Sequence, residues 1–298
     1  MAAVANNSAE KRYAVVTGAN KGIGFEICKQ LASQGITVVL TARNEKRGLD
    51  AIEKLKDLPF SDLVLFHQLD VTDSSSINSL AQFVRNQFGR LDILVNNAGI
   101  SGANVDVDGL RAASGGAQVN WKEIVAQTYG LAVECLQINY YGAKKMIEAF
   151  LPLLQFSQSP RIVNVSSSMG LLKRIPGERI RDILNDVNNL TEEKVDELLN
   201  EFLNDFKEGT LESKGWPPYF SAYIVSKAAM NAYTRIVAKR YPNVKVNCVC
   251  PGYVKTDMNY QTGNLTVEEG AESPVRLALL PDDGPSGLFF VRHEVSTF

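Results

Sequence analysis

Cysteine is scarce, histidine scarcer, and no hydrophobic run is long; each shortage excludes a class of protein. Four cysteines stand at positions 28, 135, 248 and 250 of 298 residues, too few and too scattered for a disulfide framework. Cys248 and Cys250 lie two apart in an apolar run, which sets both on one face of a strand. They read as small buried hydrophobes, with a metal pair as the alternative. The two histidines, His67 and His293, sit in no H-E-x-x-H or similar spacing, so no metal site is expected. No apolar stretch approaches the roughly 18 residues of a membrane span. The segment from Met1 to Lys11 lacks the basic-then-apolar order of a secretory leader. Positive charge is not in excess either: 31 Lys and Arg against 33 Asp and Glu give a net charge of −2, with no basic stripe interleaved with aromatics. A nucleic-acid or membrane partner is therefore not expected, and a reducing, cytoplasmic setting fits best.

What is present is a repeating order of short apolar runs. Tyr13–Thr17 (YAVVT) and Thr37–Thr41 (TVVLT) have the β-branched character of buried strands, and Leu63–Leu69, Ile93–Asn96, Arg161–Val165, Val244–Val249 and Gly287–Val291 continue the series. Helical patterns separate them: Ile77, Leu80, Val84 and Phe88 recur at the spacing of one helix face. Strand and helix in alternation imply parallel strands joined by crossover helices. The expected fold class is α/β, a Rossmann-type doubly wound parallel sheet. No linker divides it, so one domain is expected over residues 12–298, after a flexible N-terminal segment at 1–11.

Two stretches exceed the short loops usual in such a fold. The first runs from Ser101 to about Gly130, carries Gly109, Gly115 and Gly116, and shows little periodicity. The second, about 174–218, contains one helical face made by Val195, Leu198, Leu199, Phe202 and Phe206. Thr191 followed by Glu192 and Glu193 has the form of an N-cap with acids in the first turn. This helical insertion either covers exposed core or walls a substrate site.

The segment Thr17-Gly18-Ala19-Asn20-Lys21-Gly22-Ile23-Gly24 follows the first strand and opens a helix. Glycine there permits a tight turn and lets backbone N–H groups approach a pyrophosphate at the helix N-terminus, so a dinucleotide site is expected. An NAD site usually ends its second strand with Asp or Glu to accept from the ribose 2′-hydroxyl. This chain instead reads Leu40-Thr41-Ala42-Arg43, with no acid before Glu45. Arg43 offers a fork of donors for a 2′-phosphate and Lys21 adds a second charge, which favours NADP(H). The alternative is a pair of solvated surface cations.

Tyr223 and Lys227 are four apart, so on a helix they share a face. A nearby ammonium stabilises phenolate, which is expected to lower the tyrosine pKa and fit it for proton transfer. The glycine loop, Asn96-Asn97-Ala98-Gly99, Asn139, the strand ending Ser166-Ser167, the Tyr223/Lys227 pair and Pro251-Gly252 occur in this order along nearly the whole chain. This ordered set resembles the short-chain dehydrogenase/reductase family.

The resemblance implies roles residue by residue. Asp70 and Val71 would contact adenine. Asn97, Ala98 and Gly99 would line the ribose. Val254 and Thr256 would contact the carboxamide. Ser167 would hydrogen-bond a substrate carbonyl, with Ser166 as the alternative. Tyr223 would protonate the oxygen as hydride arrives from the nicotinamide. Lys227 would bind the nicotinamide ribose and tune Tyr223, and Asn139 would hold the water that resupplies the proton.

The chain departs from many family members in one respect: 56 residues separate Ser167 from Tyr223 because the insertion lies between them. That makes it similar to the carbonyl reductase-like branch, which includes the plant salutaridine and menthone/neomenthol reductases. In this branch the insertion packs where other members dimerise, so a monomer is implied. The implied activity is reversible NADPH-dependent reduction of a ketone or aldehyde. Met169, Leu171, Leu172, Trp216, Phe220, Tyr253 and Met258 flank the motifs and could line an apolar pocket for a terpenoid or alkaloid carbonyl compound, or could equally be core. Two rival readings are reduction of a conjugated carbon–carbon double bond, which in a relative accompanies loss of the tyrosine, and a non-catalytic NADPH-binding regulator.

Overall fold

A strand covered by helices on both faces has no polar side to show, so its sequence is a run of β-branched and aliphatic residues rather than an alternation. The runs YAVV, TVVLTA, ILVN and RIVNV are of this kind, and they form the middle of the sheet. The computed structural model describes residues 11–298, so the N-terminal segment expected to be flexible lies, apart from Lys11, outside the described residues.

The chain begins β1 (Tyr13–Val16), α1 (Gly22–Ser33), β2 (Thr37–Ala42), α2 (Glu45–Glu53), β3 (Val64–Gln68), α3 (Ser74–Phe88), β4 (Ile93–Asn96). A small excursion follows, made of β5 (Asn104–Val105), α4 (Val107–Ser114), α5 (Trp121–Ile124) and β6 (Val125–Ala126). Then come α6 (Tyr129–Leu136), α7 (Ala143–Leu154) and β7 (Arg161–Val165). A second excursion carries α8 (Glu178–Asn185) and α9 (Glu192–Glu208), and leads into the long helix α10 (Ser221–Arg240). β8 (Lys245–Cys250), α11 (Val267–Ala278), β9 (Phe289–Val291) and β10 (Glu294–Ser296) complete the chain.

The sheet order is β10-β9-β8-β7-β4-β1-β2-β3, parallel throughout except for the β9/β10 pair at one edge. The seven expected strands all form, with no end displaced by more than two residues. From β1 the chain builds outward through β2 and β3, then returns to place β4 on the other side of β1. Where the order reverses, the C-terminal ends of β1 and β4 diverge and open a crevice, the place where open α/β sheets bind ligands. Alternation along each strand divides the core in two. Ala14 and Val16 pack with Ile27, Leu31 and Ala271 of α1 and α11, while Val15 packs on the opposite face with Leu80, Phe150 and Ala229 of α3, α7 and α10.

The insertion serves mainly as cover. Thr191 caps α9 by accepting a hydrogen bond from the Lys194 amide at 3.3 Å, and Val195, Leu198, Leu199 and Phe202 are buried against α6 and α10 in the larger core. The stretch expected to be an irregular loop near 101–130 has structure of its own: β5 and β6 pair antiparallel, and Asp106 caps α4. Strands of two residues leave no periodicity to read. The three-residue edge strand β10 was equally invisible.

Trp216 closes the insertion. Its ring meets Phe202 edge-on with centroids 5.2 Å apart, and its Nε1–H donates to the buried Asp205 carboxylate at 2.7 Å. Trp216→Phe keeps most of the ring but leaves Asp205 Oδ2 without that donor. It is expected to lower the unfolding free energy by about 1–3 kcal/mol in urea titrations, the cost of a buried acceptor left unpaired.

Candidate active site

The crevice is floored by the β1–α1 turn. Gly18 and Gly22 have φ of 61° and 60°, a region open to glycine at little cost. A Cβ on Gly24 would collide with the Asn97 side-chain amide. The turn is tied down from β4: the Thr17 hydroxyl accepts from the Asn97 and Ala98 amides at 2.9 Å each, and Asn97 Nδ2 donates to the carbonyls of Thr17 at 2.9 Å and Gly18 at 3.1 Å. α1 starts with no side-chain cap and no acid in its first turn, so its N-terminal N–H groups are left for an anion. These features fit the pyrophosphate of a dinucleotide. Asn20 lies in the same turn. Arg43 stands exposed just beyond β2, and its guanidinium has no partner among the described residues. Lys21 is engaged: its Nζ pairs with Asp257 at 2.6 Å, with both side chains largely exposed.

Beyond the turn lies a cavity of about 660 Å³, lined on one side by Ile23, Asn97, Gly99, Val254 and Thr256 and at its floor by Ser167, Tyr223 and Lys227. Lys227 is buried, donates to the Val165 carbonyl at 2.9 Å, and lies 5.7 Å from the centre of the Tyr223 ring. Ser167, just beyond β7, accepts from the Met169 amide at 3.1 Å and lies close enough to the Tyr223 phenol to lower its pKa. Ser166 also borders the cavity but is buried, with its hydroxyl donated to Asn231 Oδ1 at 2.6 Å. The hydroxyl of Ser166 is thus engaged by Asn231, while that of Ser167 faces the Tyr223 side of the cavity.

Asn139 sits in a π-helical turn, Gln137–Gly142, that joins α6 to α7. Its amide bridges the backbone of Ile100, accepting from the N–H at 2.9 Å and donating to the carbonyl at 3.0 Å, and it also reaches Ser226. Asp70 and Val71 follow β3, outside the cavity lining. The Asp70 carboxylate accepts from the amide and hydroxyl of Thr72, and Val71 is buried under Gly142.

Of the expected pocket residues, Met169, Phe220, Tyr253 and Met258 line the cavity. Trp216 does not. It is buried in the insertion core with its polar edge spent on Asp205, so its placement on the substrate wall is corrected. Leu171 and Leu172 are likewise core, Leu171 packing on Cys248, Cys250 and Phe289. Sequence proximity misled for Trp216, a neighbour in the chain that turns inward, while for Leu171 and Leu172 the core alternative holds.

Missing from the expected wall were Val105, Leu110 and Trp121, which the first excursion folds over the cavity. A large aromatic in a polar, glycine-rich stretch was the one available signal. Gln127, from the same stretch, anchors the start of α10. Its Oε1 accepts from the Ser221 amide and hydroxyl at 2.6 and 2.7 Å, and its Nε2 donates to the Pro218 carbonyl at 3.0 Å. Between those anchors Phe220 is held at φ 49°, a costly conformation for a bulky residue.

The electrostatics reverse one expectation. Burial raises the Tyr223 pKa above its ordinary value. The Ser167 hydrogen bond offsets part of this, and the neighbouring thiols of Cys250 and Cys135 add to it. Burial also lowers the Lys227 ammonium to about 8. Desolvation of both groups outweighs the attraction that the spacing alone suggests, and Tyr223 stays a neutral phenol, a proton donor, at neutral pH.

The short chain dehydrogenase family profile matches residues 12–178, and that of enoyl-(acyl carrier protein) reductase matches residues 210–283. The chain is 62% identical to short-chain dehydrogenase/reductase 1 of Saponaria officinalis over the full length of both. It is 62% identical to (+)-neomenthol dehydrogenase of Arabidopsis thaliana, covering 96% of this chain and 98% of that protein. The structure of salutaridine reductase from Papaver somniferum superimposes with a TM-score of 0.87 at 54% identity, covering 94% of this chain and 99% of that one.

The Lys227 shift has a sign that can be tested. A folded-state pKa of about 8 against 10.5 means that the unfolded chain binds more protons between those values, so the lysine's contribution to stability is present above that window and is lost as pH falls through about 8. The stability difference between the wild type and Lys227→Met, from paired urea midpoints, is expected to shift toward the wild type on raising the pH across this window. The buried cysteines cancel in the comparison. A difference flat with pH would show an ordinary lysine.

Proposed function

Because the chain belongs to the short-chain dehydrogenase/reductase family and is an oxidoreductase acting on carbonyl and alcohol groups, we propose that it reduces a ketone or aldehyde with NADPH, on a hydrophobic terpenoid- or alkaloid-like substrate. The observation that carries this reading is the convergence of Ser167, Tyr223 and Lys227 at the floor of a mainly apolar cavity of about 660 Å³. A cavity of that size suits a small cyclic molecule beside the nicotinamide. The relatives named for neomenthol and salutaridine support the substrate class.

The nicotinamide cofactor supplies the hydride when bound. Ser167 and Tyr223 hold the substrate oxygen between two hydroxyls, and Tyr223 delivers its proton as the oxygen gains charge. A neutral phenol is the form reduction needs, and the raised pKa keeps Tyr223 in that form at neutral pH. Lys227, fixed by the Val165 carbonyl, would hold the nicotinamide ribose and return the proton to Tyr223. Asn139 maintains the Ile100 backbone beside it, in the turn through which proton resupply would run. Gly18, Asn20, Gly22 and Gly24 would cradle the pyrophosphate, Asp70 and Val71 would flank the adenine, and Val254 and Thr256 would meet the carboxamide. The free Arg43 guanidinium would take the 2′-phosphate, joined by Lys21 once it leaves Asp257.

The same reading makes the protein a cytoplasmic monomer. Its four cysteines are free and buried, and α9 covers the outer face of α6 and α10.

Two substitutions test the proposal. Tyr223→Phe is expected to reduce kcat for carbonyl reduction by about 10²–10⁴-fold while NADPH binding, followed by nucleotide fluorescence, persists. Unimpaired turnover would remove Tyr223 as the acid. Arg43→Ala is expected to weaken NADPH binding by about tenfold or more and leave NADH binding unchanged, as the loss of a charged hydrogen bond predicts. Equal weakening of both cofactors would place Arg43 away from the 2′-phosphate.

A further inference from the structure

We infer that Asn231 is a positioning residue that sets Ser167 against Tyr223, an inference that rests on the carbonyl-reductase reading. Tyr223, Lys227 and Asn231 are spaced four apart on α10 and form one stripe facing the end of β7. Each reaches a different part of the turn that carries Ser167. Tyr223 meets the Ser167 hydroxyl, and Lys227 holds the Val165 carbonyl at 2.9 Å. Asn231 takes both flanks of the serine: Oδ1 accepts from the Ser166 hydroxyl at 2.6 Å, and Nδ2 donates to the Gly170 carbonyl at 3.3 Å.

Asn231 is 2% exposed, and a buried amide is costly unless paired, so both bonds matter to its presence there. The turn is pressed flat on the helix between them. A Cβ on Gly170 would lie 2.7 Å from both the Lys227 carbonyl carbon and its Cβ, so residue 170 sits against the Lys227 backbone itself. With Ser166 and Gly170 both fixed, Ser167 has little freedom to swing from the phenol. Proton donor, ammonium and serine support thus share one rigid helix, the arrangement that holds reacting groups to sub-ångström tolerance.

The neighbouring polar contact supplies a control. Thr234, on the same helix, accepts from Asn164 Nδ2 at 2.9 Å and is equally buried, but Asn164 belongs to β7 proper rather than to the turn around Ser167.

The experiment compares Asn231→Ala, Ser166→Ala and Thr234→Val for kcat, NADPH affinity, melting temperature and the pH profile of alcohol oxidation. Asn231→Ala is expected to reduce kcat by roughly 10- to 100-fold, the cost of misplacing a reacting group by about 1 Å, with NADPH affinity unchanged. The ascending limb of the oxidation profile, along which the phenolate base forms, should move to higher pH, because the Ser167 contact that lowers the Tyr223 pKa is weakened. Ser166→Ala removes the same bond from the other side and should shift the limb the same way, which keeps the test available if Asn231→Ala does not fold. Thr234→Val should lower the melting temperature without moving the limb. Wild-type kcat and pH profile in both Asn231→Ala and Ser166→Ala, or losses matching Thr234→Val at equal stability, would overturn the inference alone. Wild-type protein that binds NADPH but reduces no carbonyl compound would overturn the reading of the site, and this inference with it.

Discussion

A buried ammonium is the constraint around which the site is arranged. Lys227 is removed from water and satisfied by the Val165 carbonyl, at a desolvation cost that its lowered pKa records. Such a group persists only where its surroundings cannot relax. α10 is therefore buried along most of its length, the turn after β7 lies flat on it, and Gly99 and Gly170 bring backbone close on either side. Loosening any of these would let water reach the lysine and return it to an ordinary surface cation. The rigidity that a buried charge demands is supplied here by the same packing that fixes Ser167 and Tyr223 around the cavity.

The two excursions from the Rossmann framework answer different needs. The longer one, with α8 and α9, contributes mostly to the core; only its ends, at Arg174 and at Pro217 to Phe220, reach the cavity. The shorter one has little core of its own, a small group around Ala103, Ile124 and Val125, and spends Val105, Leu110 and Trp121 on the cavity wall. Size is thus a poor guide to which insertion shapes substrate choice. In this protein Val105, Leu110, Ala113, Ser114 and Trp121 of the smaller one match in number the five residues that the ends of the larger one present to the cavity.

Much of the framework was legible because parallel strands and their crossover helices are written locally. Thr37–Ala42 could hardly be other than a buried strand, and Thr191 with two following acids could hardly be other than a helix start. The convergence of the site's side chains on one cavity was legible for a different reason: the glycine turn, the serine pair and the Tyr223/Lys227 spacing each encode a backbone shape or a shared helix face. What could not be read depended on distant partners. Trp216 turns inward because Asp205 awaits it, Asn231 acquires its place from Ser166 and Gly170, and the π turn around Asn139 leaves no mark in composition. The direction of the Tyr223 shift belongs to the same group, since spacing reveals the neighbouring charge but not the depth of burial that outweighs it.

The anchoring of α10 by Gln127 bears on how relatives of this protein could diverge. That residue ends the shorter excursion and holds both Pro218 and Ser221, on either side of the unfavourably twisted Phe220. The stretch from Asn104 to Ala126 could then be exchanged as a cassette, provided the glutamine stays as its fixed post and Gly102, pressed against Cys135, is kept. A graft that keeps it transfers a new wall onto an undisturbed proton-transfer site. A graft that replaces it removes the support of the helix that carries Tyr223. Cavity wall and helix support thereby meet at a single residue boundary, a practical starting point for recombining pockets among enzymes of this kind.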